Sequence, residues 1–358
     1  MMMSTTSSFP FLARLAQFAA VFGLLGPLVQ AVEVTDVFTV KTGAGGGSCD
    51  TYMGQVNDWF KDSQAIASAP ITVADNAVRD VLDHSLLVDM EYLGTYFRIP
   101  PPDNEPDSHS RQVLANAQRA KQLMQGEISL ETGKPWLYCG DGWAVELEWT
   151  AEVRADRQIR EENQEIYTRG TQLEGIFFGY YTLFYTTRVD ANGQTIDPKK
   201  PPYKPWWVED LKQYIFAPSV TGGSPCVSGK NLGTTMFQTA PWSVTLCFDN
   251  DGLGRPQLLS NMAPITGVNQ LVPDRRSVSI TFYHEILHLA IGPGSADFAY
   301  EFVEIVGWTP SYLTGEQITW DQSILNPESY TLFALATYLG EQYPDYVFWN
   351  GWSKSKSA

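Results

Sequence analysis

Histidine and cysteine are scarce in this chain of 358 residues, with four of each. No Cys-x-x-Cys pair occurs, which excludes a zinc-finger or dithiol redox reading. There is no Asn-x-Ser/Thr sequon either, so solubility cannot depend on N-glycans. Beyond the amino terminus no stretch approaches the roughly 20 apolar residues that a membrane-spanning helix needs. Basic residues are outnumbered, 24 Lys and Arg against 40 Asp and Glu, for a net charge of −16. That excess argues against nucleic acid or anionic lipid as the main partner. The glycine run Gly43-Ala44-Gly45-Gly46-Gly47-Ser48 lacks the Lys-Ser/Thr of a phosphate loop. Asp249-Asn250-Asp251-Gly252 lacks the glutamate that would close a calcium loop, that position being Ser260. The chain has no internal repeat.

The amino terminus carries one charge, Arg14, then the apolar stretch Phe18 to Val29, then Val29-Gln30-Ala31, which fits a small-residue cleavage site. Residues 1–31 therefore read as a signal peptide and the protein as secreted and extracellular. Removing them takes away one arginine and no acid, moving the charge from −16 to −17. An acidic surface suits solubility outside the cell and mildly favours basic substrates.

Two of the four histidines stand in Tyr283-His284-Glu285-Ile286-Leu287-His288. Positions i and i+4 share a helix face, so His284 and His288 can aim ring nitrogens at one metal ion with Glu285 beside them. Around them, Val278 to Phe282 and Ile286, Leu287, Leu289, Ala290 and Ile291 make an apolar frame, and Gly292-Pro293-Gly294 is a stop signal. Burying two imidazoles and a carboxylate is costly unless they are paired or metal-bound. A zinc-bound water has a pKa of about 7, and a neighbouring carboxylate can take its proton during attack on a peptide carbonyl. A third protein ligand is then required. His84 and His109 are far upstream; downstream, Asp297 is the nearest carboxylate after the glycine turn, with Glu301 and Glu304 as competitors.

Here the chain resembles the aspzincins, a family of secreted fungal zinc proteases that includes deuterolysins and peptidyl-lysine metalloendopeptidases. Their signature is His-Glu-x-x-His, then after a short glycine turn Gly-Thr-x-Asp-x-x-Tyr-Gly. The matching segment reads Gly294-Ser295-Ala296-Asp297-Phe298-Ala299-Tyr300-Glu301, with serine for threonine and Glu301 for the last glycine. The resemblance implies Zn2+ held by His284, His288 and Asp297, Glu285 as catalytic base and Tyr300 as the phenol that stabilises the oxyanion. Asn326-Pro327-Glu328 to Phe333 looks like the family's Asn-Ala-Asp segment. In the lysine-specific branch two carboxylates there receive the substrate ammonium; the corresponding positions are Glu328 and Thr331. Glu328 is thus expected to bind substrate, and strict lysine specificity is not expected. Ser48-Cys49-Asp50 and Gln55 to Trp59 are similar to the amino end of the mature family domain.

Four cysteines in a secreted chain suggest two disulfides with three possible pairings. Sequential order and the resemblance favour Cys49 with Cys139 and Cys226 with Cys247. The expected organisation is a flexible lead over 32–48, a zincin-like catalytic domain over 49–352 with an unassigned insertion at about 140–225, and a tail over 353–358. Helices are expected over Ala74 to Tyr96 and Ser110 to Gln125, and strands over Phe177 to Val189 and Trp242 to Phe248. Asp190 to Gly193 reads as a turn, Pro100 to Asp103 as a loop and Pro198 to Pro205 as an extended linker. The fold class is α+β, a predominantly helical zincin-like metalloprotease domain with a small β-sheet. The expected function is a monomeric secreted zinc endopeptidase acting on proteins or peptides. Two other readings are a zinc-binding, non-proteolytic interaction protein and, from the 11 tryptophans, a carbohydrate-binding protein.

Overall fold

The computed structural model describes residues 32–79, 87–99, 108–148, 150–152, 172–173, 205–216, 225–226, 231–250, 252–307 and 317–356. Helices α1 Val34–Val37, α2 Met53–Ile66, α3 Ala69–Arg79, α4 Leu87–Phe97 and α5 Ser108–Met124 come first. Helices α6 Ile280–Ile291, α7 Phe302–Val306, α8 Trp320–Ser323 and α9 Pro327–Gln342 come last. The strands are β1 Thr39–Val40, β2 Trp136–Cys139, β3 Ala144–Glu146, β4 Pro205–Val208, β5 Gln213–Phe216, β6 Gly233–Met236, β7 Ser243–Leu246, β8 Tyr346–Val347 and β9 Lys354–Ser355. This is an α+β fold with small sheets.

Helix α6 is apolar all round except at Thr281, His284, Glu285 and His288, and a helix of that kind is stable only when surrounded by protein. Ile280, Phe282, Tyr283, Ile286, Leu287, Leu289 and Ala290 are all buried. Helices α2, α5 and α9 pack on it. From α5, Val113, Ala117 and Ala120 form a fully buried face of small residues that lets the two helices approach closely. Phe60 of α2 and Phe38 lie 5.8 and 5.4 Å from the Phe282 ring. The helix ends at Gly292, whose φ of 94° needs glycine and whose N–H donates to the His288 carbonyl at 2.8 Å. Pro327 at the first position of α9 starts that helix with φ already set.

The main sheet has the order β1-β2-β7-β6, with β1, β2 and β7 parallel and β6 antiparallel to β7. Every residue of β7 is buried, as expected for an inner strand covered on both faces. Strand β6 closes this sheet at one end and lies against α6. A second sheet, β3-β4-β5, is antiparallel. Its Trp206, Val208 and Ile215 pack with Tyr138, Trp143 and Met236, so Trp206 is a packing residue and the described ends of the insertion are fastened to the main sheet. Disulfides join Cys49 to Cys139 and Cys226 to Cys247.

Two expectations require correction. The lead over 32–48 is not a loose segment: Val34, Val37 and Phe38 are buried, β1 pairs with β2, and Cys49 fixes the far end. The apolar Val34, Val37 and Phe38 supply burial that a glycine-rich reading of the segment overlooks. The tail is likewise tied in, because Ser353 exchanges backbone bonds with Asn269 and Gln270 and β9 pairs with β8. The helix expected over Ala74 to Tyr96 corresponds to α3 and α4, with residues 80–86 outside the described set. Helix α5 and strand β7 fall where periodicity and β-branching put them. The signal peptide, the strand over Phe177 to Val189, the turn Asp190 to Gly193, the loop Pro100 to Asp103 and residues 198–204 of the linker lie outside the described residues. Among the described residues no helix is long and apolar enough to cross a membrane.

Candidate metal centre

One turn of α6 separates His284 from His288 and places both rings on one face, with centroids 5.1 Å apart. After Gly292 the chain reverses. Ser295 closes the turn with its N–H and hydroxyl both on the Gly292 carbonyl, at 2.9 and 2.7 Å, and Ala296 N–H donates to Leu325 O at 3.1 Å. The reversal delivers Asp297 to the face of the helix that carries the two histidines. Its Oδ1 lies 3.0 Å from His284 Nε2 and 3.0 Å from His288 Nε2. Among the described residues these three are the one group whose donor atoms all lie within 4.8 Å of one another.

The opposite nitrogens are occupied. His284 Nδ1 is 3.0 Å from Glu328 Oε2, and His288 Nδ1 is 3.0 Å from Ser295 Oγ. Glu328 and Ser295 fix the rings from the Nδ1 side and turn both Nε2 atoms towards Asp297, the outer arrangement that metal-ligating histidines use. Donors on a tetrahedron around zinc, with bonds of about 2.0–2.1 Å, stand about 3.3 Å apart. The three donor atoms, with Asp297 Oδ1 3.0 Å from each Nε2 and all within 4.8 Å of one another, could hold a metal ion.

Glu285 sits one residue on from His284 and is only 3% exposed. Thr235 Oγ1 on β6 donates to its Oε2 at 2.8 Å. Gly233 on the same strand comes so near that a Cβ there would lie 2.8 Å from Glu285 Oε1. Burial pushes the Glu285 carboxyl up, against the lowering effect of the two histidines and the Thr235 hydroxyl.

Tyr300 lies over His284, ring centroids 6.0 Å apart and planes 14° from parallel, and is 55% exposed. Desolvation, then the Asp297 carboxylate that its hydroxyl faces, hold the phenol well above its usual range, so it carries its proton. Glu301 starts α7 as its N-cap, and Glu304 Oε2 folds back 3.3 Å from the Glu301 N–H. Neither carboxylate joins the three-donor group.

Glu328, expected to bind substrate, stands behind the His284 ring at the wall of the site. It is 4% exposed, with Oε1 in an ion pair to Arg276 Nη2 at 2.5 Å and Oε2 at His284. Burial opposes its ionisation, but the Arg276 guanidinium and the His284 ring outweigh that and hold its carboxyl below the usual range. Glu328 positions His284. Its two oxygens face Arg276 and His284 inside the protein, which weakens any further bond to a ligand ammonium.

Sequence reasoning overlooked Thr235, Gly233 and Arg276. Each is remote in sequence from the His-Glu pair, and none belongs to a local motif, so no signal along the chain marks it. Ser295 was within reach, as the hydroxyl retained in the turn. Comparison with protein-family models, curated proteins and solved structures finds no match to this chain.

Proposed function

We propose that this protein is a secreted zinc-dependent endopeptidase of the aspzincin kind, on a zincin-like fold. The observation that carries the reading is the convergence of His284 Nε2, His288 Nε2 and Asp297 Oδ1 beside the buried carboxylate Glu285. Two imidazoles with one carboxylate are the donor set of catalytic zinc sites, which keep a fourth position for water or substrate. Two disulfides agree with an oxidising compartment.

His284, His288 and Asp297 would hold the ion, which when bound would supply Lewis acidity to water and to the peptide carbonyl. Glu285, held by Thr235, takes a proton as water attacks and returns it to the leaving amine. Tyr300, neutral and exposed, donates a hydrogen bond to the oxygen on which negative charge develops. Strand β6, at the end of the described main sheet and directly beside Glu285, offers an edge along which an extended peptide can align by backbone hydrogen bonds. Glu328 and Ser295 keep the two rings in register.

The test is zinc content of the purified mature chain by mass spectrometry, with casein cleavage measured before chelation, after it and after zinc is restored. One zinc per chain with chelator-sensitive cleavage is the expected result. Zinc-loaded protein that leaves casein and a broad peptide library intact would overturn the proteolytic reading.

A further inference from the structure

A cavity of about 490 Å³ opens beside His284, Glu285 and Tyr300 and runs to two arginines, Arg255 and Arg276. Both come from loops that abut the start of α6. The Arg255 loop is pinned there, since Val278 N–H donates to Pro256 O at 2.8 Å and Ser279 N–H to Gln257 O at 3.1 Å. Arg276 follows the 3-10 turn Pro273–Arg275.

Glu285, Glu301 and Glu328 line this cavity together with the two arginines, but two of these acids are held by other partners and the third stands at the rim. Glu328 is already committed to Arg276 and His284. Glu285 is held from β6 by Thr235, and Glu301 is exposed at the rim. On the basic side, Arg276 uses Nη2 on Glu328, while its Nε is buried without a hydrogen-bond partner. Arg255 is partly buried and forms no ion pair with any described residue. Burial, followed by the charge of Arg276, lowers its pKa, against the raising effect of Glu328 and Glu301, as expected of a guanidinium partly taken out of water. Unpaired buried donors are costly unless something binds them, and a planar fork suits a carboxylate.

Resting on the peptidase reading above, we propose that this cavity is a specificity pocket for a carboxylate of the peptide substrate, with Arg255 as its partner. An Asp or Glu side chain near the scissile bond and a free C-terminal carboxylate are two sources of that group. The pocket would thus select acidic peptides in spite of the chain's net charge of −16. Close charge-assisted bonds decide such a choice, and a diffuse surface charge is screened within about 8–10 Å.

The experiment uses the zinc-loaded full chain and C-terminally amidated peptides that differ only by Glu, Gln or Lys at successive positions. A parallel set carries free C-termini. Cleavage is followed by mass spectrometry for wild type, Arg255→Gln and Arg255→Glu, with zinc content and circular dichroism checked for each variant. Calorimetry on Glu285→Gln measures binding of the same peptides without turnover. The expected result is a preference of about tenfold or more for Glu over Gln at one position, or for the free over the amidated terminus, in cleavage and in binding. Arg255→Gln should erase the preference, and Arg255→Glu should turn it towards Lys. Equal treatment of Glu and Gln peptides and of both termini, or a preference that survives Arg255→Gln in a folded protein, would overturn the proposal while leaving the peptidase intact. If no peptide is cut, the peptidase reading fails by itself, and the calorimetric arm still decides whether the pocket binds carboxylates.

Discussion

Glu328 Oε2 lies 3.0 Å from His284 Nδ1, while the other oxygen of the same carboxylate is in contact with Arg276. The start of α9 thereby sets the ring orientation of a residue on α6, 44 positions earlier in sequence. This geometry ties Glu328 to His284 and Arg276.

From this relationship it follows that Glu328→Ala weakens zinc binding by about 10–100-fold, the usual cost of losing the acceptor behind a ligating histidine. Glu328→Gln, which keeps an acceptor oxygen, should lose less. Competition against a chromogenic chelator measures both. Unchanged zinc affinity together with a KM raised only for lysine peptides would return Glu328 to the role of substrate acid.

Glu285→Gln should retain zinc, because it removes none of the three donors, and should lower kcat by about 10²–10⁴-fold through loss of the proton acceptor. Parallel metal analysis and casein turnover test this. Wild-type turnover by the variant would show that some other base serves.

Asp297→Ala should empty the site far more than Glu301→Ala or Glu304→Ala. Only Asp297 places an oxygen within 3.0 Å of both Nε2 atoms, whereas Glu301 and Glu304 are engaged at the start of α7. Zinc stoichiometry after dialysis separates the three variants; retention by Asp297→Ala with loss by Glu304→Ala would mark a glutamate as the third ligand.

Gly233→Ala places a methyl 2.8 Å from Glu285 Oε1, inside any normal contact, so the carboxylate or β6 must move. Misplacing a catalytic group by about 1 Å costs on the order of 10²-fold, so kcat should fall while zinc content holds. A variant with full activity would mean that the carboxylate has room to spare.

Reducing the disulfides should destabilise the fold unequally. Cys49–Cys139 spans 90 residues and Cys226–Cys247 spans 21, which gives about 4.6 and about 3.3 kcal/mol in the chain-entropy picture. Urea midpoints of the Cys49→Ala/Cys139→Ala and Cys226→Ala/Cys247→Ala double variants should rank in that order.

The local parts of this protein were legible along the chain. The apolar run from Val278 to Ile291 with its Gly-Pro-Gly stop marks α6, the period of Val113, Ala117, Ala120 and Leu123 marks α5, and β-branched residues mark β7. The spacing i, i+4 put His284 and His288 on one face because helix geometry repeats every 3.6 residues and needs no tertiary context. Long-range partners follow no such period. Thr235 and Gly233 meet Glu285 across 50 and more residues because β6 ends the sheet against α6, and Arg276 meets Glu328 because the loop before α6 packs on the start of α9. Glu328 shows the difference most plainly: composition and resemblance gave it a charge and a neighbourhood, but which of its neighbours would claim each oxygen depended on burial. A carboxylate taken out of water must be satisfied inside the fold, and the fold supplied Arg276 and His284 before any substrate could arrive.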